Sequence, residues 1–165
     1  MASAAILAQA LEDTGRETEV DWEGVNFDRR MDWESFAEGE RFAVVDFHFH
    51  PRAVYWFDHH PTTFLDENDE RDFKDDERRA FDPASPSCPP IIVRHAATRW
   101  QWDTPAHFEE LVRWSDVIDA AAYGSAKEAL FDRRAPFQIN RALSCAPSTA
   151  FHDRVVGLMK EMPLD

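Results

Sequence analysis

Apolar positions fall into two distinct periods along this chain. Over residues 2–12, Ala, Ile and Leu recur at steps of three and four, the spacing of a helix with a buried face, and the pattern closes near Gly15. Between positions 42 and 60 the pattern changes. Phe42-Ala-Val-Val runs into Asp46, and Val54-Tyr-Trp-Phe runs into Asp58, His59 and His60. Short runs of β-branched and aromatic residues bounded by Pro and polar residues predict buried strands. Each such strand delivers carboxylate or imidazole at its carboxyl end, the edge of an open α/β sheet where ligands sit. Val20-Asp-Trp22 predicts one further strand, and residues 28–39 predict an irregular charged cover over an edge.

The direction of the two main strands decides what their ends can do. Only seven residues separate Asp46 from Val54, whereas a parallel crossover commonly takes a dozen or more. In a hairpin Asp46 and Asp58 would lie at opposite ends, about 13 Å apart for a four-residue rise, too far to share a metal. A shared site therefore requires a tight parallel crossover. Residues 61–82 are charged, with Phe64, Phe73 and Phe81 as anchors, and predict a loop holding a helical turn or two.

Ser85-Pro-Ser-Cys-Pro-Pro supplies capping residues and helix-start prolines ahead of a helix over Ile91–Trp100. Thr104-Pro does the same for a helix running to about Tyr123, where Phe108, Leu111, Val112, Ser115, Ile118 and Ala122 share a face beside Asp116 and Asp119. Residues 125–165 read as helical, broken at Pro136 and Pro147, with Phe137, Ile139, Leu143, Val155, Val156, Leu158 and Met159 for packing. The predicted class is α/β. A mainly parallel, Rossmann-like sheet flanked by helices occupies residues 1–124 of a single domain, and 125–165 form a helical extension.

Composition narrows the partners. A chain of 165 residues can bury one core without staples. With 44% apolar and 13% aromatic residues it is too hydrophobic for disorder, while 30% charged residues and a mean hydropathy of -0.54 suit water. The formal charge of -14 argues against a broad duplex nucleic-acid surface, which needs clustered Lys and Arg. A small anionic, phosphate-containing substrate escapes that objection when metal ions supply local positive charge. No run approaches the roughly 20 apolar residues that span a bilayer, so no membrane partner is expected.

Cys88 and Cys145 form no CxxC pattern, which disfavours a disulfide framework or thiolate zinc site and points to a reducing cytoplasm. The amino terminus lacks a basic n-region and runs into Glu12 and Asp13, unlike a signal peptide. Most of the six tryptophans are expected in the core, leaving one or two to stack on a base. Nothing in the pattern bears on oligomeric state.

Carboxylate with imidazole is the donor set of Mn, Fe, Zn or Mg. The strand ends thus predict a metal-dependent hydrolytic site. Asp58-His59-His60, closing an apolar strand one strand after Asp46, resembles the phosphoesterase superfamily named for its Asp-His-His motif. The likeness spans roughly residues 1–123. It implies hydrolysis of a phosphodiester or phosphoanhydride by water activated at divalent metal, most often Mn. In this chain it assigns Asp46, His59 and Asp116 to the metal, with Asp119 as the fallback for Asp116. His60 would face substrate or the leaving phosphate, and Asp58 would orient the imidazoles.

The family's early His-and-Asp motif, due just before a helix like Ala2–Leu11, and its carboxyl-terminal substrate domain do not occur in the sequence. A truncated, weakly active relative or a start site placed too late is the expectation, with a non-catalytic phosphate- or nucleotide-binding module as the alternative. A second likeness joins Asp46-Phe-His48-Phe-His50 to the His-x-His of amidohydrolase zinc sites. There a barrel of about 250 residues would be needed.

Overall fold

Ala43–Val45 (β1), Tyr55–Asp58 (β2) and Arg79–Phe81 (β3) lie side by side in that order, and both pairings are parallel. The computed structural model describes residues 1–25, 32–145 and 149–164. Around the sheet lie α1 (Ala2–Asp13), α2 (Glu67–Asp72), α3 (Pro89–Arg99), α4 (His107–Asp119), α5 (Ala126–Phe131), α6 (Ala135–Cys145) and α7 (Thr149–Glu161). The class is α/β. The predicted break at Pro147 and the first part of the predicted cover, residues 28–31, lie outside the described residues.

Central β2 is buried along its whole length, as a parallel strand covered on both faces should be. Tyr55 and Phe57 meet Ile6, Leu11, Ile91, Ile92, Phe108 and Leu111 from α1, α3 and α4. Trp56 points the other way, toward Trp33, Val44, Phe49 and Ala53. That second face is closed by aromatic rings: Phe64, Phe73 and Phe81 each set a ring against Trp56 with centroids 5.1–6.0 Å apart. The neighbouring α2 buries none of its own residues.

The crossover over residues 46–54 runs parallel without a helix, as the shared-site argument requires. Its backbone groups find partners elsewhere. Trp33 Nε1 donates to the Phe49 carbonyl at 2.8 Å, Trp56 Nε1 to the Phe47 carbonyl at 3.1 Å, and the Phe49 amide to the Thr63 carbonyl at 3.0 Å. Buried backbone satisfied in this way permits a connection shorter than a helical one.

Several local expectations are corrected. Val20–Trp22 forms no strand; the Trp22 indole instead donates to the Asp153 carbonyl at 3.0 Å, tying the early loop to α7. Residues 61–82 hold β3 as well as α2, because Phe81 pairs beside Asp58 although its strand is only three residues long. Neither helix uses the predicted cap: Cys88 precedes α3 and Ala106 precedes α4, both without a side-chain bond to the helix. The prolines at the start of α3 are present as predicted. Helix α4 stops at Asp119, not Tyr123, since Ala121 turns left-handed (φ +50°) and the Ala122 amide closes onto the Val117 carbonyl.

Of the carboxyl-terminal helices, α7 folds back onto the amino-terminal one. Helix α7 packs along α1, and Lys160 Nζ meets Glu12 Oε2 at 2.6 Å. Phe137 and Val156 are buried as expected, but Leu158 is 46% exposed, on the outer side of α7. No helix among the described residues is long and apolar enough to cross a membrane.

Candidate metal centre

Parallel pairing brings the ends of β1 and β2 to the same sheet edge. The Val45–Phe57 register sets Asp46 and Asp58 next to one another, and the Asp46 amide still donates to the Phe57 carbonyl at 2.9 Å. Asp46 then leaves the ladder with φ +59°, a left-handed conformation that Asp tolerates better than most L-residues. One ligand atom from each of Asp46, Asp58, His59 and His60 lies within 4.8 Å of the others.

Hydrogen bonds orient both imidazoles. His59 Nδ1 donates to the Ser85 carbonyl at 3.1 Å, which leaves Nε2 facing Asp46 Oδ1 at 3.4 Å. His60 Nδ1 donates to Asp58 Oδ1 at 2.8 Å, and the His60 side chain is half exposed. A carbonyl or carboxylate on one ring nitrogen is the usual way a ligand histidine's tautomer is set. Asp58 is fully buried and therefore positions His60 rigidly.

The donor set fits a cation. Asp46 Oδ1, Asp58 Oδ2 and His59 Nε2 are all buried, and none has a hydrogen-bond partner. Buried polar atoms are normally satisfied; Asp46 Oδ1 and His59 Nε2, 3.4 Å apart, pair with one another when the imidazole is protonated, and a cation would satisfy both when it is neutral. Burial pushes the Asp46 carboxyl up, but the His59 imidazole and other positive charge outweigh it and hold the group below its ordinary value. Asp46 in turn raises His59 against the opposing effect of burial.

Of the residues singled out by sequence, Asp46, His59, Asp58 and His60 come together, with Asp58 offering an oxygen of its own as well as orienting a ring. Asp116 stands outside this group. Its Oδ1 accepts from the fully buried Ser87 hydroxyl at 2.6 Å. Asp119, one turn on, is raised by partial burial and then by the Asp46 charge, so it faces the site electrostatically.

His48 and His50 lie beyond the end of β1 and take no part. His48 Nδ1 meets the Thr63 carbonyl at 3.2 Å, and His50 packs edge-on against Trp33 and Phe42. Ser85 and Ser87, which read as helix caps, are the site residues that sequence reasoning missed. A backbone carbonyl and a tertiary hydroxyl bond leave no mark in residue spacing.

A separate cavity of about 210 Å3 opens beside Asp46, walled by α1, α4 and α6. Comparison of the chain with family models, curated proteins and solved structures finds no match.

Proposed function

We propose that this chain is a metal-dependent phosphoesterase of the Asp-His-His type, on a Rossmann-like sheet, hydrolysing a phosphodiester or phosphoanhydride. The supporting observation is the group of Asp46, Asp58, His59 and His60, whose ligand atoms lie within 4.8 Å of one another at the carboxyl edge of two parallel strands. Asp46 and His59 would hold the cation, Mn by preference, with Asp58 adding its free oxygen and Asp116 or Asp119 approaching from α4. A divalent ion there supplies Lewis-acid charge to the phosphoryl oxygens and acidifies water.

The chain's own residues do the rest. Asp58 holds His60 in one tautomer, and His60, 49% exposed in its side chain, faces incoming substrate and can pass a proton to the leaving oxygen. Water forms the new bond to phosphorus as the old P–O bond breaks. The substrate is a small phosphate-containing anion, since the charge of -14 disfavours duplex nucleic acid. Both cysteines are free, in keeping with a cytoplasmic location.

Purified protein with Mn2+ is expected to turn over bis-p-nitrophenyl phosphate and to lose both Mn2+ binding and turnover in His59→Ala. Unchanged Mn2+ binding in that variant would end the proposal. One observation favours a second reading. The four grouped residues suit one cation rather than a two-ion clamp, which fits a non-catalytic phosphate- or nucleotide-binding module. Mn2+ and phosphate binding with no turnover would select it.

A further inference from the structure

The cavity beside Asp46 is built unlike the edge where the imidazoles stand. Its walls are Leu111, Trp114 and Ile118 of α4 facing Pro136, Ile139 and Leu143 of α6, so the lining is mainly apolar. Polar side chains interrupt them at Ser3, Asp46, Ser115, Asp119 and Asn140, and two of these bear on the ligand. Asp46 lines the cavity as well as the ligand group, so the apolar space and the cation-binding atoms adjoin. Ser3, from α1, is 1% exposed, and its hydroxyl has no hydrogen-bond partner; the nearby Cys88 thiol already donates to the Phe57 carbonyl. A buried, unsatisfied hydroxyl in the lining of an apolar cavity is a site for a ligand oxygen.

Size sets the occupant. A dry cavity of about 150 Å3 holds benzene, whereas pockets for drug-sized ligands begin near 300 Å3. At about 210 Å3 this space takes one six-membered ring or a short branched chain with little to spare. The cavity is open on one side, so a base with its ribose would leave part of its surface in solvent.

Resting on the phosphoesterase reading, we propose that the cavity receives the organic group of the substrate, making this protein selective for phosphate esters of a single aromatic ring or a short branched alcohol. Leu111, Ile118 and Ile139 close around that group, and the Ser3 hydroxyl meets an oxygen of the ester. Nucleotides are then weaker ligands because the ring system and sugar cannot both be buried there.

The test is calorimetric binding of phenyl phosphate, inorganic phosphate and AMP to the Mn2+-loaded protein, with Mn2+ affinity measured separately. Phenyl phosphate is expected to bind at least about tenfold tighter than inorganic phosphate, from burial of the ring, and tighter than AMP. Ile139→Trp, which fills the cavity from a half-exposed position, should erase the preference while leaving Mn2+ affinity unchanged. Ile139→Ala should widen the space and move the preference toward 1-naphthyl phosphate, which keeps the test decisive if the larger side chain disturbs folding. Equal affinity for phenyl phosphate and inorganic phosphate, or tighter binding of AMP, would overturn the proposal while leaving the metal site standing. Failure of Mn2+ to bind, with phenol still bound in the wild type and excluded by Ile139→Trp, would instead overturn the metal reading alone.

Discussion

His59 Nε2 and Asp46 Oδ1 face each other at 3.4 Å as an ion pair whose two atoms are buried. The pair is separated along the chain by the whole crossover and β2, yet the parallel register closes that gap. It leaves a base and an acceptor aimed at one point.

Because a cation binds neutral imidazole, protons compete with it. Asp46 raises the His59 pKa above its ordinary value, so competition extends above the usual histidine range. Mn2+ affinity should therefore tighten as pH rises through that raised pKa and weaken below it. Titration calorimetry between about pH 6 and pH 8 checks this, with proton release falling as affinity climbs. A flat profile would remove His59 from the ligand set.

The left-handed backbone at Asp46 makes a separate, metal-free prediction. With φ +59° the position costs a β-carbon about 1–2 kcal/mol that glycine avoids. Asp46→Ala and Asp46→Gly both remove the carboxylate, so their difference isolates the backbone. Urea unfolding should find the glycine variant more stable, by about 1 kcal/mol after its larger unfolded-state entropy is subtracted.

Ser87 and Asp116 separate structure from metal binding. Their 2.6 Å bond joins the turn before α3 to α4, and Ser87→Ala would leave a carboxylate without that partner. A loss of about 1–3 kcal/mol in chemical denaturation is expected, with Mn2+ affinity retained. Asp116→Asn keeps an acceptor for the hydroxyl. If it abolishes Mn2+ binding in a folded protein, Asp116 is a ligand as the family likeness implies; if binding persists, Asp119 is the carboxylate to change next.

Acid should weaken the fold through His95 and His50. Burial lowers the pKa of each in the folded state, with His95 packed between Phe57 and Trp100. A depressed folded pKa means that the unfolded chain binds more protons as pH falls through about 6.5, so stability present above that pH is lost below it. His59, raised in the folded protein, acts with the opposite sign: its contribution is present below about 6.5 and is lost as pH rises through its folded pKa. Thermal unfolding of His95→Gln should show a shallower acid-side slope than the wild type.

Residue spacing already contained the helix of residues 2–13, the two strands ending in Asp46 and Asp58, the prolines opening α3 and the α/β class. Those features depend on periodicity and turn chemistry within a few residues, and such signals survive in one dimension. The remainder was decided by contacts between distant segments. Strand β3 is three residues long and gains its place only by pairing with β2. The parallel sense of the short crossover rests on Trp33, Trp56 and Thr63 satisfying its backbone, and no local pattern announces that. For the same reason Asp58 and Asp116, both legible as acids, parted company only in three dimensions, one with an oxygen turned into the site and the other bonded to Ser87.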